Sequence, residues 1–203
     1  MKKRRGTVLI LLGALLLVGA LGFAGYNILD ARRAEQQADA VQTQLAKKIE
    51  QNKADKKPLL PGQQPLGEEM AVEEIDGRRY IGTIEIPALD KKLPVLEDWS
   101  YESLKVSPCR YSGTYYTDDL VICAHNYSSH FNGLRWIEPG EEVIFTTVDG
   151  VRYRYIITTR ETLFPTEVER MINAQDDWDL TLFTCYIGGR TRCTVRCTRV
   201  EPS

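Results

Sequence analysis

An all-β domain, carried behind one membrane-spanning helix and a polar helical stalk, is the fold class predicted by this 203-residue sequence. Three observations lead there. Residues 7–29 form an uncharged apolar run. Beyond residue 70, six to eight short segments alternate in polarity or are rich in β-branched residues, with turn signals between them. Only one or two short stretches carry helical punctuation. Many short strands with little helix to cover a sheet face imply a closed barrel or a sandwich.

The elements follow in chain order. The run TVLILLGALLLVGALGFAGYNIL at 7–29 is long enough to cross a bilayer core, at roughly 34 Å for a helix rising about 1.5 Å per residue. Lys2, Lys3, Arg4 and Arg5 precede it, so residues 1–6 are predicted to stay cytoplasmic and the rest of the chain to face outward. A cleaved signal peptide is the competing reading, but its apolar region would be shorter. Residues 30–69 read as a stalk and linker. Ala34, Ala38, Val41, Leu45 and Ile49 form one narrow apolar stripe on an otherwise polar helix, which predicts a solvated stalk. Pro58, Pro61, Pro65, Gly62 and Gly67 then mark an extended linker.

The folded domain is assigned to residues 70–203. Its strands are read from RRYIGTIEIP, DDLVICAHN, EEVIFTTVDG, VRYRYIITTR, TLFTC and RCTVRCTRV. Asp149-Gly150, between two β-branched runs, predicts a tight hairpin. TEVERMINA is read as a short helix and SYESLKVS as a helical turn.

A net charge of −2 provides no basic field for nucleic acid. The five cysteines (Cys109, Cys123, Cys185, Cys193, Cys197) show no zinc-ligand spacing, so no metal site or cofactor is predicted. Cys193 and Cys197 share strand parity with Val195 and read as core residues. Four residues apart in an extended strand, they lie roughly 13 Å from each other, too far for a disulfide. A Cys109–Cys123 bridge is conceivable in an oxidising exterior, with Cys109 placed in a loop. His125 and His130 are the only imidazoles. His125 ends the apolar LVICA run, Cys185 ends TLFTC, and Arg192 opens the next strand on the parity opposite Cys193. Thiol, imidazole and guanidinium at three strand ends suit nucleophilic catalysis: a reactive thiolate, a proton donor for a leaving amine, and a donor to an oxyanion. His130, in a polar loop with Ser128 and Ser129, is expected to be solvated.

TLFTC followed by an arginine resembles the TLxTC signature of the sortases, the membrane-anchored cysteine transpeptidases of Gram-positive surfaces. LKVSPCRYSGTYYTDDLVICAHNYSSHFNGL resembles the stretch carrying the family's histidine. RRYIGTIEIPALDKKLPVLEDWS resembles the start of the family barrel, and the likeness covers residues of about 75 to 200. It implies an eight-stranded sortase-like β-barrel with Cys185 as nucleophile, His125 as general acid/base and Arg192 as the catalytic arginine; Arg190 is the rival and Arg196 a third choice. Thr184 would help position the acyl-enzyme, and Leu163, Phe164, Pro165 and Val168 would wall the substrate groove. The implied reaction cleaves a C-terminal LPxTG-like sorting signal, holds the acyl group as a thioester, and passes it to an amine of a peptidoglycan cross-bridge or a pilin lysine. The implied location is the cell membrane, with the catalytic domain outside. The histidine follows Ala rather than Gly, no aspartate-aromatic lid precedes the barrel, and the segment before TLFTC is shorter than the class B insertion, which leaves the subclass open, B-like or D-like. An exported cysteine hydrolase and a non-catalytic surface-binding domain are the alternatives.

Overall fold

The computed structural model describes residues 2–55, 69–173, 177–186 and 188–200. It divides into two compact units, Met1–Arg33 and Ala34–Ser203. In the first, Ile10–Leu29 is a helix with mean hydropathy 1.8 and no buried residue, a length and composition that fit a membrane anchor. This helix is part of α1, which runs over Lys2–Asp55.

The second unit corrects the expectation of a solvated stalk. Val41, Leu45 and Ile49 of α1 are buried against Ile75, Tyr80, Leu96 and Val148 of the β domain. The spacing of 4 and 4 places all three on one face, and an apolar stripe next to an apolar sheet surface is removed from water. Burial of each such side chain stabilises by about 1.5–3 kcal/mol. Lys48 pairs with Glu73, and Asn52 Nδ2 donates to the Val148 carbonyl at 3.0 Å, so polar contacts frame the stripe. The side chains of Ala34 and Ala38, and the linker at 56–68, lie outside the described residues.

Among the described residues the β domain has nine strands: β1 (Glu73–Ile75), β2 (Arg78–Ile86), β3 (Lys91–Leu96), β4 (Cys109–Ser112), β5 (Leu120–Ala124), β6 (Glu142–Thr147), β7 (Arg152–Leu163), β8 (Leu180–Cys185) and β9 (Arg192–Val200). The sheet order is β1-β2-β3-β4-β5-β8-β9-β7-β6, and β6 also pairs with β2. That pairing closes β2 to β9 into an eight-stranded barrel, with β1 added at its edge. The seam needs Gly82, where a Cβ would overlap the Thr146 carbonyl oxygen of β6; on its other edge β2 shifts register against β3 between Tyr80 and Gly82. The hairpin at 149–150 forms as expected, with Gly150 at φ 85° and its amide donating to the Thr147 carbonyl at 3.0 Å.

The barrel core contains Ile84, Ile122, Phe145, Tyr155, Leu182 and Val195, with Cys193 and Cys197 buried among them as the parity of β9 predicts. The short helices also appear. α2 (Tyr101–Leu104) is capped by Ser100, whose Oγ accepts from the Ser103 amide at 2.9 Å. α3 covers Val168–Ile172, shorter than TEVERMINA, whose Ala174 lies outside the described residues. Cys109 is not in a loop: it opens β4 directly opposite Cys123 on β5, both thiols free and buried.

Candidate active site

Two strand pairings build the site. β5 and β8 run parallel with Ala124 beside Thr184, so His125 emerges one step further on, next to Cys185. β8 and β9 run antiparallel, with Cys185 directly opposite Arg192. His125, Cys185 and Arg192 thus form a row across three adjacent strands, spaced by about 4.8 Å per strand. All three line one cleft.

The cleft lies on the outer wall of the barrel. Leu180 and Leu182 of β8 point into the core, and Phe183 and Cys185 take the opposite parity. Cys123, two residues before His125, lies on the same outer side. Cys185 is part-exposed, whereas the other four thiols are buried. Burial pushes the Cys109 thiol up to about 12, and it raises the Cys123 thiol as well. These buried thiols are poor nucleophiles at neutral pH; the accessible sulfur is Cys185.

The guanidinium of Arg192 is held by the turn that connects β8 and β9, with Nη1 donating to the Gly189 carbonyl at 2.9 Å and the Thr191 carbonyl at 3.4 Å. Arg190, the rival, is exposed in that turn and is not a lining residue. Arg196 has a different task. Its side chain is 1% exposed, and it donates to Glu161 Oε1 and Thr181 Oγ1, both at 2.8 Å, and to the carbonyls of Arg170 and Met171. Burial pulls its pKa down while Glu161 opposes that shift. Arg196 therefore pins the C-terminal end of α3 to the barrel.

The groove residues divide into two groups. Phe164, Pro165 and Val168 line the cleft as expected, Phe164 with 62% exposure. Leu163 is fully buried with Val121 and Met171 beneath it, because β7 still pairs there, Leu163 facing Arg192. Thr184 is also buried. Its Oγ1 donates to the Ala124 carbonyl at 2.8 Å, tying β8 to the strand that leads to His125. Glu167 caps the groove wall: its carboxylate accepts from the Phe164 amide at 2.7 Å and pairs with Arg170 at 2.6 Å, which together hold its pKa below the usual carboxylate range.

His130 overturns its expected solvation. It is completely buried, its ring 5.4 Å from that of Tyr127, which in turn lies 4.8 Å from the His125 ring. Among the described residues neither ring nitrogen makes a hydrogen bond of ordinary geometry, and the Val106 backbone nearby only partly offsets the burial. Burial, with the nearby His125 second, lowers its pKa to about 4, so it is neutral where His125 chemistry operates.

An aromatic wall completes the cleft. Phe183 meets Tyr111 edge-on at 5.2 Å, Tyr111 meets Trp99 at 5.5 Å, and Trp99 meets Tyr101 at 5.9 Å. Phe183 is legible from the sequence as the residue two before Cys185 on the same parity. Trp99 and Tyr101 come from the segment after β3 and carry no such signal, since only the fold brings that segment over β8.

A thiol, an imidazole and a guanidinium in one row, beside a groove with an apolar wall, can form and resolve an acyl-thioester on an extended peptide. The family model described as Sortase domain matches residues 84–200. No curated protein matches the chain. Among solved structures, the chain is similar to sortase E from Streptomyces avermitilis (25% identity, TM-score 0.51, covering 60% of this chain and 88% of that one). It is also similar to Clostridium perfringens sortase C with the C-terminal cell wall sorting motif (23%, 0.54, 81% and 91%) and to a Clostridium perfringens sortase D5 transpeptidase (16%, 0.56, 82% and 97%). The last two likenesses speak to the barrel alone. The family match runs from the closing strand β2 through β9 and takes in His125, Cys185 and Arg192, and the chain accordingly belongs to the sortase family.

Proposed function

We propose that this chain is a membrane-anchored cysteine transpeptidase acting on a C-terminal sorting signal of the LPxTG kind. The row of His125, Cys185 and Arg192 across β5, β8 and β9 is the observation that carries this reading. The Cys185 thiolate attacks the carbonyl carbon of the scissile peptide, and Arg192 donates to the oxyanion that forms. His125 protonates the departing amine as the C–N bond breaks, leaving a thioester. An incoming amine, from a peptidoglycan cross-bridge or a pilin lysine, then attacks the thioester carbon. Its proton passes through His125, and the C–S bond breaks. Phe164, Pro165 and Val168 face the aromatic wall across the cleft and would hold the apolar residues of the signal. The helix at Ile10–Leu29 would keep the enzyme at the membrane where its substrates emerge.

The test is incubation of the detergent-solubilised chain with a pentapeptide library and an added amine. A thioester adduct on Cys185, seen by intact-mass measurement, and an amide product are expected. Cys185→Ala and His125→Ala should each lose turnover by at least about a thousandfold. Free acid with no amide at any amine concentration would make the chain a hydrolase. No adduct with any peptide would leave a binding domain.

A further inference from the structure

Cys185 ends β8 and Tyr186 follows it, and the two serve different cavities. Cys185 lines the cleft already described, whereas Tyr186 lines a separate depression with Arg135, Trp136, Arg160, Glu161 and Thr162. Arg160 pairs with Val195 and Thr162 with Cys193, both core-facing on β9. This depression therefore lies on the interior parity at one end of the barrel, around the strand ends from the outer-wall cleft. Its other side is the 3-10 turn Asn132–Trp136, which rests against β8 and β9. That turn grows out of the His125 loop, where the Phe131 amide donates to the His125 carbonyl at 3.2 Å. The depression is thus bracketed by the residues that follow the sulfur and the residues that follow the imidazole.

Its charge is unbalanced. Among the described residues, neither Arg135 nor Arg160 makes an ion pair. Arg160 spends one donor on the Arg135 carbonyl, and Arg135 Nε donates to the Asn132 carbonyl at 2.9 Å. Among the described residues, the other guanidinium donors of both have no protein acceptor. Glu161, the carboxylate in the lining, is committed to Arg196 and Arg170, each at 2.8 Å. Trp136 is 71% exposed and has the Arg135 guanidinium 5.6 Å from its ring centroid. Two guanidiniums with donors to spare and an exposed indole describe a recess for a peptide that carries a carboxylate.

We propose that this recess binds the acyl acceptor, an amine whose chain bears a carboxylate that Arg135 and Arg160 grip while its backbone lies against Trp136. The proposal rests on the transpeptidase reading of Cys185. With the donor peptide in the outer cleft, an acceptor held at the strand ends reaches the thioester carbon without displacing the acyl group. Its neutral amine forms the C–N bond, the C–S bond breaks, and the nitrogen's proton passes by way of His125 to the sulfur. Holding the amine there raises its local concentration against the water that would hydrolyse the thioester.

The experiment compares triglycine, which ends in a carboxylate, with triglycine amide as acceptors, using the full chain in detergent and the sorting peptide selected by the library. Amide product is measured against hydrolysis product for each acceptor. Expected is a preference of about tenfold for triglycine, the size of a charged hydrogen-bonded pair. Arg135→Gln with Arg160→Gln should bring that preference towards unity, and Arg160→Glu should reverse it. The single Arg160→Glu variant alters an exposed side chain and keeps the test decisive if the double variant does not fold. Equal use of the two acceptors by the unaltered enzyme, or equal slowing of both in the variants, overturns the proposal while leaving the thioester chemistry intact. Absence of a thioester adduct on the unaltered enzyme overturns this proposal and the transpeptidase reading together.

Discussion

His125 and His130 sit five residues apart in one polar loop, and their environments have little in common. His130 is sealed in the interior with a pKa of about 4, below the ordinary value of 6.5. The sign of the consequence is fixed by that depression. As pH falls below about 6.5 the unfolded chain takes up a proton that the folded His130 refuses, so the fold loses stability until about pH 4, by about 3 kcal/mol in total. Urea unfolding midpoints of the unaltered chain and of His130→Leu across that range check it: the variant's stability should depend less steeply on pH. The same loop length permits both outcomes because burial is decided by how the backbone folds back at Tyr127, whose carbonyl accepts from the amides of His130 and Asn132. Among the arginines, register decides. Arg192 faces Cys185 and Arg190 does not, so Arg192→Gln should lower kcat/KM by about a hundredfold or more, the scale of one lost oxyanion donor, while Arg190→Gln stays within a few fold. Steady-state kinetics with the selected peptide distinguishes them. The sequence already put His125, Cys185 and Arg192 at three strand ends, and strand parity already placed Cys193 and Cys197 in the core. Leu163, expected from the resemblance to wall the groove, is buried instead, because adjacency in the chain does not say whether a strand still pairs at its end.

At the scale of elements, the second half of α1 is a working part of the β domain. Its stripe reaches Cys109 and Cys123 in one apolar cluster, and Cys123 also lines the cleft. The helix thereby shares an apolar cluster with a residue that lines the cleft. Leu45, fully buried, is the centre of that contact. Leu45→Ala should destabilise the second unit by about 2–5 kcal/mol, the cost of a large-to-small change in a packed interior, read as a lower urea midpoint with unchanged slope. An unchanged midpoint would mean that the stripe is solvated after all. The stripe was visible in the sequence as spacing. What covers it was not, since an amphipathic face says only that some apolar surface will meet it. The strands and the short helices were legible for a simpler reason: alternation, β-branching, the Asp149-Gly150 turn and the Ser100 cap are local signals read by local physics.

At the scale of the molecule, barrel closure is what makes a site. The β2–β6 seam fixes the circumference, and with it the parallel β5–β8 contact that sets His125 beside Cys185. The apolar helix fits a membrane anchor, and on the function proposed above the basic residues before it would leave the catalytic unit outside the cell. A membrane-impermeant methanethiosulfonate reagent added to intact cells should therefore abolish transpeptidation by modifying Cys185, and the four buried thiols should react only after unfolding. Full activity after that treatment would place the domain on the other side of the membrane. The sequence by itself determined the membrane-crossing length, the strands β2 and β5 to β9 and the three reactive residue types, because each depends on periodicity or composition within a few residues, whereas β1, β3 and β4 emerged only with the sheet. Only the tertiary structure decided which arginine faces the sulfur, which histidine is dry, and that a second, cationic recess opens beside the same strand ends. Those depend on register and burial, which are set by contacts between segments tens of residues apart.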